Sequence, residues 1–417
     1  MSGVPDLSAF IHPGDTVLWG QAGAEPLTLT RALVEQRQRL GRPRLFLGIG
    51  QSGVLQPEHA DAFDFLAYCG SGSNRALAAA GVLDILPCHY SQLPALMRCG
   101  ALRVDVVMLQ VSPPDEQGRH SLGLANEYLL AALDSARVVL AEVNDQVPWT
   151  HGERCLRGDE IDLRVGASYA PWAAEATPAG PVEQDIARHV AGLIDDGCTL
   201  QTGLGALPDA VLRALVDRRD LGVHSGVIGD GVAALCEAGV VTNARKTIDR
   251  GVSVGGLLMG SARLHRFAHR NERLRLRSTD YTHDASVLAA IDRFVAVNSA
   301  IEVDLSGQVN AEVANGVYVG AVGGALDFLR GAQRSRGGLP IIALPSTTGA
   351  RSRIVARLSG PVSTPRSDAA LIVTEHGVAD LRGLPLSRRV DRLLAIADPR
   401  HRDALARDAR LVHPRTA

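Results

Sequence analysis

Short apolar runs punctuate the chain: Thr16–Gly20, Leu45–Ile49, Val104–Val111, Val138–Val143, Thr199–Thr202, Leu221–Ser225, Phe294–Asn298, Ile341–Leu344 and Leu371–Thr374. They are rich in Val, Leu and Ile on both alternating faces, as strands buried on both sides must be. Amphipathic stretches separate them; in Asp209–Val216 the apolar residues Ala210, Val211, Leu212 and Leu215 fall at helical spacing. The alternation predicts an α/β protein with largely parallel sheets. Ser168–Gln184 carries three prolines and neither period, so it reads as a linker between residues 1–178 and 179–417.

A self-comparison supports that division. Gly14–Glu35 resembles Gly197–Asp217, with Thr16 against Thr199, Gly20 against Gly203, Pro26 against Pro208 and Arg31–Val34 against Arg213–Val216. Each copy reads as a strand, a Gly-containing turn, a helix beginning near Pro, and a second strand (Leu45–Gly48, Leu221–His224). The expectation is two similar α/β domains with a ligand cleft where they face each other.

Composition narrows the chemistry. The 417 residues carry 43 basic and 45 acidic side chains, and Lys246 is the one lysine. With a formal charge of −2 and no basic run, neither a nucleic-acid groove nor a polybasic membrane patch is expected. No apolar run approaches the ~18 residues of a membrane span, and Met1–Phe10 has no signal-peptide pattern. Six scattered cysteines without a C-x-x-C pair fit packing roles in a reduced, cytoplasmic setting. His89, His120, His151, His283 and His376 lack the pairing of a metal set, so no metal is expected.

Gln201–Asp209, QTGLGALPD, runs from a strand into a Gly-rich turn and a helix start, where backbone N–H groups can face a phosphate or a developing oxyanion. It has neither the third Gly of a dinucleotide fingerprint nor the Lys of a P-loop. Val322–Asp327 is a second Gly-rich turn, and Leu344–Arg353 a third, whose hydroxyls, Arg351 and Arg353 suit a phosphate. Gln110–Gly118 and Glu142–Gly152 read as strand exits on the ligand side. His224 and Ser225 are adjacent on a strand, so they point to opposite faces and cannot form a nucleophile–base dyad.

In this order, Asp105–Gly123, Ala141–Gly152, Gly203–Val211, Asn298–Glu312, Gly337–Thr347 and Val373–Gly383 resemble the acetyl-CoA hydrolase/CoA-transferase family, from about Asp15 to Arg407. That family includes 4-hydroxybutyrate, acetate and succinate CoA-transferases. The resemblance implies a CoA-transferase fold of the NagB/RpiA type, a site in the interdomain cleft, coenzyme A as a substrate moiety, and a homodimer or larger homo-oligomer. It also implies a nucleophilic glutamate that exchanges acyl groups through glutamyl-CoA. The family's H-[ST]-E-x-x-[SG]-D-G-V corresponds to His224–Val232 here, and Gly226 stands where the glutamate belongs.

Two further departures fall on ligand contacts. Ala321–Ala325, AVGGA, stands for the family's G-V-G-G-Q, and Ser346–Arg351 stands for a loop whose Lys is associated with CoA. Gly203, Leu204, Gly205, Ala206, Leu207, Gly323, Gly324, Asn74, Arg75 and Asp230 match the family; with Arg351, the seven from Gly203 to Leu207 and Gly323–Gly324 form the expected CoA cradle. A methylene-free residue cannot form an acyl anhydride. The leading expectation is therefore an enzyme that acts on an acyl-CoA or related thioester without glutamyl-CoA, by hydrolysis, acyl transfer or C–C chemistry. The Gly203–Leu207 turn would polarise the carbonyl, Gly226 would enlarge the pocket, and His224, Ser225, Asp230 and His376 are the candidate acid/base groups. The alternatives are conventional exchange with Asp230, Glu312 or Glu375 as substitute carboxylate, and a non-catalytic CoA-binding paralogue or partner subunit.

Overall fold

The computed structural model describes residues 6–175, 178–368 and 370–412. Two sheets organise them. The first holds β1 (Thr16–Trp19), β2 (Arg44–Leu47), β3 (Asp64–Ala67), β4 (Leu83–Ile85), β5 (Val106–Val111), β6 (Val138–Asn144) and β7 (Leu163–Ala167). Their order is β4-β3-β2-β1-β5-β6-β7, and all pairs are parallel. The second holds β8 (Thr199–Thr202), β9 (Gly222–Val223), β10 (Phe294–Ser299), β11 (Leu339–Ala343), β12 (Leu371–Thr374) and β13 (Gly377–Asp380), in the order β9-β8-β10-β11-β12-β13. Only β13 in this sheet runs antiparallel. Every residue of β1, β5, β8 and β12 is buried. Unbroken Val/Leu runs thus form central parallel strands covered on both faces.

The internal repeat is visible in the topology. The order β2-β1-β5-β6 matches β9-β8-β10-β11, and Val17 pairs with Leu45 and Val106 as Leu200 pairs with Val223 and Val295. The two prolines are not equivalent. Pro26 precedes α1 (Leu27–Glu35), whereas Pro208 is the third residue of the helix after β8. Pro26 cannot cap α1 with a side chain, and the buried Glu142 carboxylate supplies that function, accepting from Thr28 N at 2.7 Å and Leu29 N at 3.2 Å. The end of β6 therefore serves the scaffold at Glu142.

Two expected boundaries shift. The strand expected at Leu221–Ser225 shortens to β9, because His224 and the Ser225 N–H turn to Val254. The expected linker ends inside α2 (Pro181–Ala191), with Pro181 at the first helical position, where its missing N–H has no cost. Ala176 and Thr177 lie outside the described residues.

Backbone bonds join the halves across the cleft. Asn126 N donates to Gly256 O at 2.9 Å, Leu258 N to Leu124 O at 2.8 Å, and Tyr90 N to Gly323 O at 3.0 Å. All six cysteines are free; Cys99 is exposed, so packing does not account for it. No described helix is long and apolar enough to cross a membrane.

Lys246 is 1% exposed, and its ammonium donates to Val223 O at 3.0 Å and Val252 O at 2.8 Å. Burial pushes it from 10.5 down to about 8. The unfolded chain therefore binds the extra proton between those values, and stability rises with pH from about 8 towards 10.5. Urea midpoints measured from pH 8 to 9.5 are expected to rise in the wild type relative to Lys246→Met; parallel trends would show that the lysine does not titrate this way.

Candidate active site

Successive parallel strands deliver their loops to one edge, so residues just past the strand ends converge. Gln21 follows β1, Ile49 follows β2 and Tyr68 follows β3 on one side; Gln201 is the penultimate residue of β8, Gly226 follows β9 and Asn298 lies on β10 on the other. Together with Tyr90, Glu127, His283, Phe328 and the Gly323–Ala325 turn they line a cavity of about 180 Å³ between the sheets. No Lys or Arg lines it.

Gly226 is in this cavity, but the space beside it is filled. A Cβ added at Gly226 would lie 2.9 Å from His283 Cε1 and 3.0 Å from its Nε2, and one added at Gly324 would lie 2.6 Å from Nε2. The imidazole is seated between the two glycines, and it packs on Phe328 and Tyr90 with ring centroids 4.5 and 4.9 Å apart. The expected enlargement of the pocket is corrected accordingly: His283 occupies the volume that a side chain at 226 would take.

The Thr282 hydroxyl donates to Ser278 O at 3.2 Å and lies 2.8 Å from His283 Nδ1. Full burial pushes this ring down to about 3.

The second feature is Glu127, which is 2% exposed. Its Oε2 accepts from Tyr90 OH and, at 2.7 Å, from Gln21 Nε2. Gln21 is itself fixed, because its Oε1 accepts from Ile49 N and Tyr68 OH, both at 2.8 Å. Glu127 Oε1 has no hydrogen-bond partner among the described residues. Burial raises this carboxyl from 4.5 to about 7, against the opposing pull of the two donors. A Cβ added at Gly256 would lie 3.0 Å from Gly226 O and 3.5 Å from Glu127 Cβ, so Gly256 packs against both residues.

The other candidates are placed elsewhere. His224 is fully buried, its Nε2 donates to Thr282 O at 3.2 Å, and it is pushed down to about 3 by burial and by the nearby Lys246 charge. Ser225 Oγ donates to Thr202 O at 3.1 Å. Neither lines the cavity. Asp230 accepts from Ser261 N and Oγ, both at 2.7 Å. With Leu204 and Gly205 of the Gly-rich turn it lines a different cavity, of about 460 Å³. Gly203, Ala206 and Leu207 line neither.

Glu312 is held by Tyr318 OH and Ser363 Oγ, and Glu375 by Ser346 N and Oγ. His376 sits in the β12–β13 turn with Nε2 3.7 Å from Glu375. Arg351 is exposed and donates to Asn315 at 2.7 Å, whereas Arg353 turns inward onto the carbonyls of Ile301 and Ala300, so it does not serve as an anion grip. Of the residues singled out in the sequence, Gly226, Gly323 and Gly324 are brought together, joined by Gln201 from the Gly-rich segment.

Glu127, Tyr90 and Gln21 carry no sequence motif, and His283 stands out in the sequence only as one of several dispersed histidines. One signal existed for the first: Glu127 is the single charged residue between Leu122 and Leu133. A lone carboxylate in an apolar stretch either finds partners or carries function.

The cavity predicts a local coupling. Gly226→Ala is expected to cost about 1–3 kcal/mol through overpacking on His283. In a His283→Ala background the same change should cost almost nothing, as a double-mutant cycle in urea would read; equal costs in both backgrounds would remove the steric account.

Comparison with known proteins gives the family context. The acetyl-CoA hydrolase/transferase N-terminal domain matches residues 4–167 and the C-terminal domain residues 260–409. A 4-hydroxybutyrate coenzyme A transferase from Clostridium kluyveri is 38% identical over 395 residues, 93% of this chain and 92% of that protein. The succinyl-CoA:cyclohexane-1-carboxylate CoA transferase of Geobacter metallireducens is 32% identical over 97% of this chain and 94% of its own. Among solved structures, RipA from Yersinia pestis superposes with TM-score 0.92 at 35% identity, covering 98% of this chain and 96% of that one. A 4-hydroxybutyrate CoA-transferase from Porphyromonas gingivalis gives 0.82 at 35%, covering 97% and 95%.

Proposed function

Because the chain belongs to the acetyl-CoA hydrolase/transferase family, we propose that it cleaves an acyl-CoA thioester by direct attack of an acceptor, with no glutamyl-CoA intermediate. The activity class, acyl-CoA transfer or hydrolysis, follows from the family; the direct route is the new element. The observation that carries it is Gly226 with His283 packed against it. Position 226 offers no nucleophile, and no side chain can be placed there without displacing the ring. Asp230, Glu312 and Glu375 are each bound to neighbouring hydroxyls or N–H groups and lie outside the lining of this cavity, which argues against conventional exchange through a substitute among them.

The lining supports electrophilic assistance. Asn298 Nδ2 donates to Gln201 Oε1 at 3.0 Å, and each of these amides has a second N–H beyond that shared pair. Gly324 caps a ten-residue helix, Ala325–Arg334, and Gly324 and Ala325 at its start line the cavity. Such donors stabilise a tetrahedral oxyanion in a site poor in water. Coenzyme A enters as substrate; Gly323 and Gly324 are the proposed contacts in this cavity, Leu204 and Gly205 those at the neighbouring one, and the exposed Arg351 a contact outside both.

Thiol release tests this reading. Incubated with a panel of acyl-CoAs, the protein is expected to liberate CoA without any added carboxylate, and with an added acceptor to show sequential kinetics. Ping-pong kinetics with strict dependence on a carboxylate would contradict it, because that pattern marks a covalent intermediate. Silence with every donor and acceptor would leave the binding-paralogue reading in its place.

A further inference from the structure

We infer that Glu127 is the general base of this site and that the acceptor is a proton-bearing nucleophile, water being the simplest. The inference rests on the functional reading above and adds the residue and the acceptor class.

Geometry comes first. Glu127 lines the cavity that Gly226 opens onto, and its Oε1 is buried with no hydrogen-bond partner among the described residues. Its other oxygen is clamped by Tyr90 OH and Gln21, so the carboxylate is held in one orientation. Burying a carboxyl with an unsatisfied oxygen is costly. The backbone bears a second cost: Glu127 has φ +27°, in the left-handed region that glycine favours, and its pairing with Ser278 holds it there.

The surroundings leave the carboxyl as the group that titrates in the useful range. Burial has driven Tyr68, Tyr90 and Tyr128 well above the ordinary tyrosine value, and Cys69 up to about 11, so all four stay protonated. His283, across the cavity, stays neutral. Arg277 and Glu153, beside the paired Ser278, lie 3.4 Å apart and offset each other. Glu127, raised to about 7, is matched to proton transfer near neutrality.

The step balances as follows. Glu127 Oε1 takes a proton from water as the water oxygen bonds to the thioester carbonyl carbon. The tetrahedral oxyanion collapses, the C–S bond breaks with its electron pair going to sulfur, and the thiolate takes the proton back from Glu127. The products are the free carboxylic acid and CoA thiol, and the carboxylate is regenerated. A carboxylate acceptor carries no proton at neutral pH and would gain nothing from this base.

The test is a pH profile of thiol release for wild type, Glu127→Gln, Glu127→Asp and Tyr90→Phe, each first checked for a cooperative melt. In the wild type kcat/KM should rise with pH through a midpoint near 7. Glu127→Gln should lose about 100- to 10,000-fold in kcat, with KM changed by less than about threefold, and the limb should vanish. Glu127→Asp should recover part of the rate and keep a limb. Tyr90→Phe removes a bond that favours the ionised form, so its limb should move to higher pH. An active wild type whose Gln variant keeps its kcat and its limb overturns the role of Glu127 alone. A wild type silent with every acyl-CoA overturns the functional reading and this role with it.

Discussion

The site depends on one steric fact: the imidazole of His283 sits where a side chain at position 226 would have to be. Two glycines, 226 and 324, make room for it. Phe328 and Tyr90 then pack on its faces. Tyr90 in turn spends its hydroxyl on Glu127. The ring that packs beside these glycines therefore also packs on the tyrosine whose hydroxyl orients the Glu127 carboxylate.

Electrostatics follows from the same packing. A cavity with aromatic, amide and glycine walls and no Lys or Arg gives a buried carboxylate little to lean on. Desolvation raises its affinity for a proton until two hydrogen bonds hold it near neutrality. The lysine scarcity of the chain acts here too. Its one ammonium is buried under β9 on backbone carbonyls and is not available to the cleft.

Much of the architecture is legible in the residues, since both-face apolar runs can only be central parallel strands. Val106–Val111 and Leu371–Thr374 emerge where periodicity puts them, and the repeat reappears as matching strand orders. Leu221–Ser225 does not survive whole, because Val254 competes for the backbone of His224 and Ser225, and no local pattern announces that partner. The site is legible only in outline. Gly226 and the Gly323–Gly324 turn can be found by spacing against the family pattern. Glu127 and His283 cannot, because what makes them matter is which strand ends they face and which atoms remain unbonded. His224 shows the converse: adjacent to the critical glycine in sequence, it points into the core.

The central claim is that acyl transfer bypasses any carboxylate of the protein. Isotope labelling reads this directly. After many turnovers of an acyl-CoA in H₂¹⁸O, the peptide containing Glu127 is analysed by mass spectrometry alongside the released acid. The account predicts ¹⁸O in the product carboxylate and none in Glu127 or any other acidic residue. Label accumulating in Glu127, or in Asp230, Glu312 or Glu375, would show that an enzyme carboxylate becomes acylated, and would contradict it.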